Sequence, residues 1–144
     1  MKINEIFYSI QGEGIQSGLP TVFIRLTGCN LRCSYCDTKY AYTKGKQFSI
    51  DEIILKLKDF TCNTVCITGG EPLIHEDILE LVNTLSKNKY NILIETNGSK
   101  KIDSLLTVQK LMISLDIKCP SSGMQDQMIM ENIEKLRKYD QLKF

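Results

Sequence analysis

Gly28-Cys29-Asn30-Leu31-Arg32-Cys33-Ser34-Tyr35-Cys36-Asp37-Thr38 carries three cysteines at the spacing Cys-x3-Cys-x2-Cys. Thiolates are soft ligands, and close spacing on a loop lets several sulfurs converge on one metal centre. A zinc site normally closes with a fourth Cys or His, and no second Cys-x2-Cys pair follows. A [4Fe–4S] cubane held by three thiolates keeps one iron open, and an open iron can bind and reduce a substrate. A zinc knuckle or a disulfide framework would be the bland uses of the same residues.

The flanking sequence reads as alternating strands and helices. Upstream, Thr21 to Leu26 is a β-branched and aromatic run, a buried strand by composition. Arg25 lies inside it and must be paired if buried, by a structural carboxylate or by an anionic substrate held bidentately. Residues 3–8 read as a first strand, and Ser9-Ile10-Gln11-Gly12-Glu13-Gly14 as a Gly-punctuated loop. That loop is an ordinary surface turn, or it brings an amide and a carboxylate to a polar heterocycle with paired donors and acceptors.

Downstream, the Thr38 hydroxyl beside Asp37 offers a hard-metal ligand or a cap. Ser49-Ile50-Asp51-Glu52 opens a helix carried by Ile53, Ile54, Leu57 and Phe60. Thr64 to Thr68 is the next strand, running into Gly69-Gly70-Glu71-Pro72-Leu73, a loop suited to hold an ammonium group through carbonyls and Glu71. His75, the one histidine, reads as a solvated residue opening a helix rather than a catalyst. Ile78, Leu79, Leu81, Val82 and Leu85 give that helix its apolar face. Asn91 to Glu95 and Lys110 to Leu115 are strands, residues 125–139 a helix, and Leu142-Lys143-Phe144 the start of a strand. Polar residues mass after each strand, which predicts an α/β fold of parallel strands with crossover helices. Of the other cysteines, Cys66 reads as core and Cys62 lies near a helix end. Cys119 falls on the site side with no partner motif for a second cluster.

The totals restrict the class. One domain fits the 144 residues, 42% hydrophobic and 24% charged composition is that of an ordinary globular chain, and a net charge of +1 argues against a nucleic-acid-coating surface. There is no apolar run of about 18 residues and no signal peptide, so the expected location is cytoplasmic, with no membrane partner. Reduced thiols there favour metal binding over disulfides.

The cysteine loop, with aromatic Tyr35 before its third cysteine, resembles the signature of the radical S-adenosylmethionine (SAM) enzymes. Four motifs together resemble the 7-carboxy-7-deazaguanine synthases within that group: Phe7 to Gly14, the loop ending Cys36-Asp37-Thr38, Ile67 to Leu73, and Ser114 to Gly123. The resemblance implies a partial (β/α) barrel of radical SAM type. It implies conversion of 6-carboxy-5,6,7,8-tetrahydropterin to 7-carboxy-7-deazaguanine with loss of ammonia, in making the 7-deazapurines queuosine and archaeosine of tRNA. By the same resemblance, Cys29, Cys33 and Cys36 ligate a [4Fe–4S] cluster whose fourth iron SAM chelates. Tyr35, Asp37, Gly70, Glu71, Ser114, Asp116 and Lys118 stand where SAM is held. Gln11, Gly12, Glu13, Arg25 and Thr68 stand where the pterin is held, and Thr38 where Mg²⁺ is ligated. The implied partners are the pterin and an electron donor such as flavodoxin or ferredoxin, with a homodimer left open.

Family members continue with further strands, so a radical SAM core domain over 1–144 is expected to be incomplete at its C-terminus. Two other readings share some motifs. A glycyl-radical activating enzyme uses the cysteine loop and Gly-Gly-Glu-Pro but has no use for Gln11 and Glu13. A non-catalytic Fe–S or zinc module would need no SAM.

Overall fold

The computed structural model describes residues Met1–Phe144. Seven strands form one sheet: β1 (Lys2–Ile10), β2 (Pro20–Leu26), β3 (Lys46–Gln47), β4 (Thr64–Gly69), β5 (Asn91–Thr96), β6 (Leu111–Asp116) and β7 (Gln141–Lys143). Their order is β3-β1-β2-β4-β5-β6-β7. From β2 to β7 every pairing is parallel, as the alternating pattern predicts. The sheet is nevertheless mixed, because β1 runs antiparallel to both β2 and β3. The short Gln11–Leu19 connection explains this: it allows a hairpin return, whereas a parallel crossover needs a dozen residues or more.

Helices α1 (Ile50–Leu57) and α2 (Ile78–Lys87) cover one face of the sheet. The α1 start is a reciprocal cap, with Glu52 N donating to Ser49 Oγ at 3.2 Å and Ser49 N donating to Glu52 Oε2 at 2.7 Å. The two helices bury Ile53, Ile54, Leu57, Ile78, Leu81, Val82 and Leu85 against Val22, Ile24, Val65, Ile67, Ile92, Ile94 and Ile113. Removing such side chains from water at about 25 cal/mol per Å² is the main stabilisation of the domain.

Three expectations need correction. No full helix joins β5 to β6, only a 3-10 turn at Asp103–Leu105. Residues 125–139 are not one helix. They break into a 3-10 turn at Gln125–Gln127 and the short α3 (Glu131–Lys135). Tertiary bonds override local preference there: Ile129 N donates to Gly98 O at 3.0 Å, and buried Asn132 donates to the carbonyls of Gly98 and Lys100. His75 opens no helix; it ends the 3-10 turn Pro72–Ile74, and α2 begins at Ile78. No helix is long and apolar enough to cross a membrane.

Candidate functional site

Successive strand side chains face opposite sides, so the residues between the helix-facing ones line the inner face of the open barrel. They form two layers across the sheet. The lower is apolar, with Phe7, Phe23, Cys66, Leu93 and Met112 neighbours in strand register. Phe7 and Phe23 stack with ring centres 5.0 Å apart.

The upper layer is polar. Glu5 lies opposite Arg25, Arg25 beside Thr68, Glu95 beside Ser114, and Ser114 beside Gln141. Its members bond to one another. Arg25 Nε donates to Glu5 Oε1 at 2.7 Å, Thr68 Oγ1 to Glu95 Oε2 at 2.7 Å, and Gln141 Nε2 to Ser114 Oγ at 2.8 Å. The Gln11 side chain crosses from the β1–β2 loop and donates to Glu95 Oε1 at 3.4 Å.

Above these layers opens a cavity of about 1040 Å³ at the C-terminal ends of the parallel strands. This is where open α/β folds place ligands. The three cysteines, Tyr35, Asp37 and Thr38 border it, as do Gly70, Asp116, Lys118, Gln11, Gly12, Glu13, Arg25 and Thr68. Two expected contacts do not reach it. Ser114 is fully buried under Gln141. Glu71 is also fully buried, its oxygens taken by Leu73 N, Thr96 Oγ1 and Asn97 N at 2.7 to 2.9 Å. Burial pushes the Glu71 carboxyl up to about 7, against the pull of those three donors. Its role in the Gly-Gly-Glu-Pro loop is to hold that loop onto β5. The cavity wall itself is formed by Gly69 and Gly70.

The cysteine loop is fixed at both ends. Glu71 N donates to Gly28 O at 2.7 Å, and Ser34 donates from its amide and hydroxyl to the carbonyls of Ser122 and Ser121. Cys29, Cys33 and Cys36 are free and half-buried. Cys29 Sγ accepts from Leu31 N at 3.4 Å and Asn97 Nδ2 at 3.7 Å, while burial raises its thiol. The Cys36 thiol group near the Tyr42 hydroxyl, with some burial, pushes the tyrosine's pKa up to about 12. No three histidine, cysteine or acidic side chains converge on one point as a single metal ion requires. A cluster asks for another arrangement, thiolates on different irons, and three thiols around one cavity mouth fit that donor set.

The β6 end of the cavity has its own open group. Asp116 Oδ2 accepts from Lys118 Nζ at 2.6 Å, but its buried Oδ1 has no hydrogen-bond donor. Lys143 Nζ stands 3.3 Å from Oδ1, within ion-pair reach but without hydrogen-bond geometry. Thr38 Oγ1 lies 2.7 Å from Asp37 Oδ1, a pair of hard oxygens at the mouth that suits Mg²⁺.

Residues 23–142 match the radical SAM superfamily. Over 143 residues the chain is 43% identical to a 7-carboxy-7-deazaguanine synthase of Thermoplasma acidophilum, covering 99% of this chain and 68% of that protein. The chain belongs to this family. Synthases of the same name from Methanospirillum hungatei and Koribacter versatilis are 48% and 38% identical, over 85% and 100% of this chain. Here the chain spans only 52% and 64% of those relatives' lengths. The crystal structure of QueE from Escherichia coli superposes with a TM-score of 0.75 at 29% identity, covering 94% of this chain and 68% of that one. The fold is thus the radical SAM partial barrel, and the chain is a radical SAM domain of the deazaguanine synthase family, a family that implies a [4Fe–4S] cluster and SAM.

Family motifs did not single out Glu5, Glu95, Asn97, Tyr42, Gln141 or Lys143. Glu95 was the most legible of them, since a carboxylate ending the apolar run Ile92-Leu93-Ile94 demands a partner. Partial burial pulls the Lys143 ammonium down, but the carboxylates of Asp116, Glu13 and Glu95 outweigh it and hold the pKa well above its ordinary value. Outside the cavity, Cys62 Sγ donates to Pro20 O at 3.2 Å, and Cys66 is floor packing. Cys119 does border the cavity.

Proposed function

We propose that this domain converts 6-carboxy-5,6,7,8-tetrahydropterin to 7-carboxy-7-deazaguanine with loss of ammonia, on the road to queuosine-type 7-deazapurines. One observation supports this most: Thr68 and Gln11 both meet the Glu95 carboxylate at the foot of a cavity whose mouth carries the three cysteines. A carboxylate flanked by a hydroxyl and an amide is complementary to the donor-rich edge of a pterin ring. The glycyl-radical activator reading gives these inward polar residues no task.

Cys29, Cys33 and Cys36 would hold the [4Fe–4S] cluster, and Gly70, Asp116 and Lys118 would face SAM beside Tyr35 and Asp37. When bound, the cluster and SAM supply the electron and the carbon radical that takes a hydrogen from the substrate. The chain's own work is to bind and orient. Arg25 offers the substrate carboxylate its two Nη nitrogens, because only Nε is engaged by Glu5. Thr38 would carry Mg²⁺ against the same carboxylate. Gln11, Gly12 and Glu13 close the cavity from the β1–β2 loop, and the apolar layer beneath keeps the ring from water. Electrons would come from a flavodoxin or ferredoxin in the cytoplasm.

The test is anaerobic reconstitution followed by product analysis with the carboxypterin. The expected result is 7-carboxy-7-deazaguanine and about four irons per chain. Replacing any of Cys29, Cys33 or Cys36 by Ala should abolish iron uptake and SAM cleavage, and Cys66→Ala should spare both. SAM cleavage with no carboxypterin product would reject the substrate. Stoichiometric zinc with no iron would reject the enzyme.

A further inference from the structure

β7 lies at the far edge of the sheet from the β1–β2 loop in strand order, yet it holds that loop. Ile15 N donates to Gln141 Oε1 at 2.9 Å, while the other end of the same amide donates to Ser114 Oγ at 2.8 Å. Lys143 Nζ donates to Glu13 Oε2 at 2.6 Å and stands 3.3 Å from Asp116 Oδ1. The contact at Gly14 is so close that a Cβ there would strike the Gln141 side chain, and Gly14 has a φ of +67°. Two side chains of one strand therefore fix one loop, and each also holds a residue of β6. Ser114 and Asp116 lie directly beside Gln141 and Lys143 in register.

We propose that Gln141 and Lys143 are positioning residues that lock the Gln11–Gly18 loop across the barrel in its pterin-binding form and tie it to the SAM-facing end of β6. The proposal rests on the substrate reading above. Gln141 sets the loop backbone through the Ile15 amide. Lys143 sets the Glu13 side chain, and its charge also offsets the two carboxylates it lies between. Without it Glu13 would face the cavity unpaired and Asp116 would keep Lys118 as its one cation, so a substrate that itself carries a carboxylate would meet added negative charge. Preorganisation of this kind saves the ordering cost of the loop at the moment of binding.

Amide hydrogen exchange on the full cluster-free chain tests the lock independently of any chemistry. Gln141→Leu and Lys143→Met should speed exchange in the 11–18 segment by about fivefold or more, as one lost hydrogen bond implies. Lys143→Arg should restore protection. Glu13→Gln removes the same ion pair from the exposed loop side, so it must reproduce the Lys143→Met result even if that variant folds poorly. In the reconstituted enzyme, Lys143→Met should raise the KM for the carboxypterin by about tenfold while changing the KM for SAM less. Unchanged exchange in Gln141→Leu and Glu13→Gln would overturn the lock. Faster exchange with an unchanged pterin KM, or equal loss for pterin and SAM, would overturn the positioning role. If the wild-type chain makes no deazaguanine product, the exchange result still stands and only the substrate reading falls.

Discussion

The carbonyl of Gly28 lies so close to Gly70 that no Cβ fits between them, and the same carbonyl accepts the Glu71 amide at 2.7 Å. The cysteine loop and the Gly-Gly-Glu-Pro loop are thereby joined backbone to backbone. A side chain on Gly70 would have to push the two loops apart, because the obstructing atom is main chain and cannot rotate away.

Gly70→Ala is expected to destabilise the domain by about 1–3 kcal/mol, the usual cost of forcing extra volume into a packed region. The cysteine loop should move with it, so iron uptake on reconstitution should fall more than the melting temperature suggests. Iron content and SAM cleavage measured on the folded fraction check this. Full iron loading in a stable Gly70→Ala chain would refute the close-approach argument.

Glu71 makes stability depend on pH. A carboxyl at about 7 in the fold and 4.5 in the unfolded chain keeps its proton longer when folded. Between those values the folded chain binds more protons, so this contribution to stability falls as pH rises, by on the order of 3 kcal/mol across the window. Glu71→Gln should remove that slope. It should also cost about 1–3 kcal/mol at pH 5, since an amide presents N–H groups to donors. The gap between wild type and Glu71→Gln in urea denaturation is therefore expected to narrow from pH 5 to pH 8. A gap that widens would mean that Glu71 is ionised throughout.

Arg25 should matter for turnover more than for folding. Its ion pair with Glu5 is partly exposed, which limits the pair to about 1 kcal/mol or less. Arg25→Ala should thus lower the melting temperature only modestly, even though it also loses the contacts over the Phe7 and Tyr40 rings at 5.5 and 5.8 Å. Carboxypterin turnover should fall at least about tenfold, because a charge-assisted contact at a shielded site is lost. Arg25→Lys should not rescue, since an ammonium cannot present two planar Nη donors while a third holds Glu5. A large melting shift with normal turnover in the surviving enzyme would make Arg25 structural.

Spacing and alternation alone settled a good deal of this molecule. Cys29, Cys33 and Cys36 on one short loop, the strand before them, and the strands at Thr64, Asn91 and Lys110 were legible because apolar period and thiol spacing are local properties. So was the start of β7 at the chain's end. The antiparallel β1 was not, because strand direction depends on what a strand pairs with. Residues 125–139 read as a helix until bonds from Asn132 and Ile129 to the Gly98 and Lys100 carbonyls broke it, and a sequence pattern does not show such partners. Glu71 and Ser114 sit in the expected motifs yet do not reach the cavity, Glu71 because buried donors claim its oxygens and Ser114 because the Gln141 amide covers it. The polar layer from Glu5 through Arg25, Thr68, Glu95 and Ser114 to Gln141 joins residues from six strands. Only strand register puts them side by side, so only the tertiary structure could decide it.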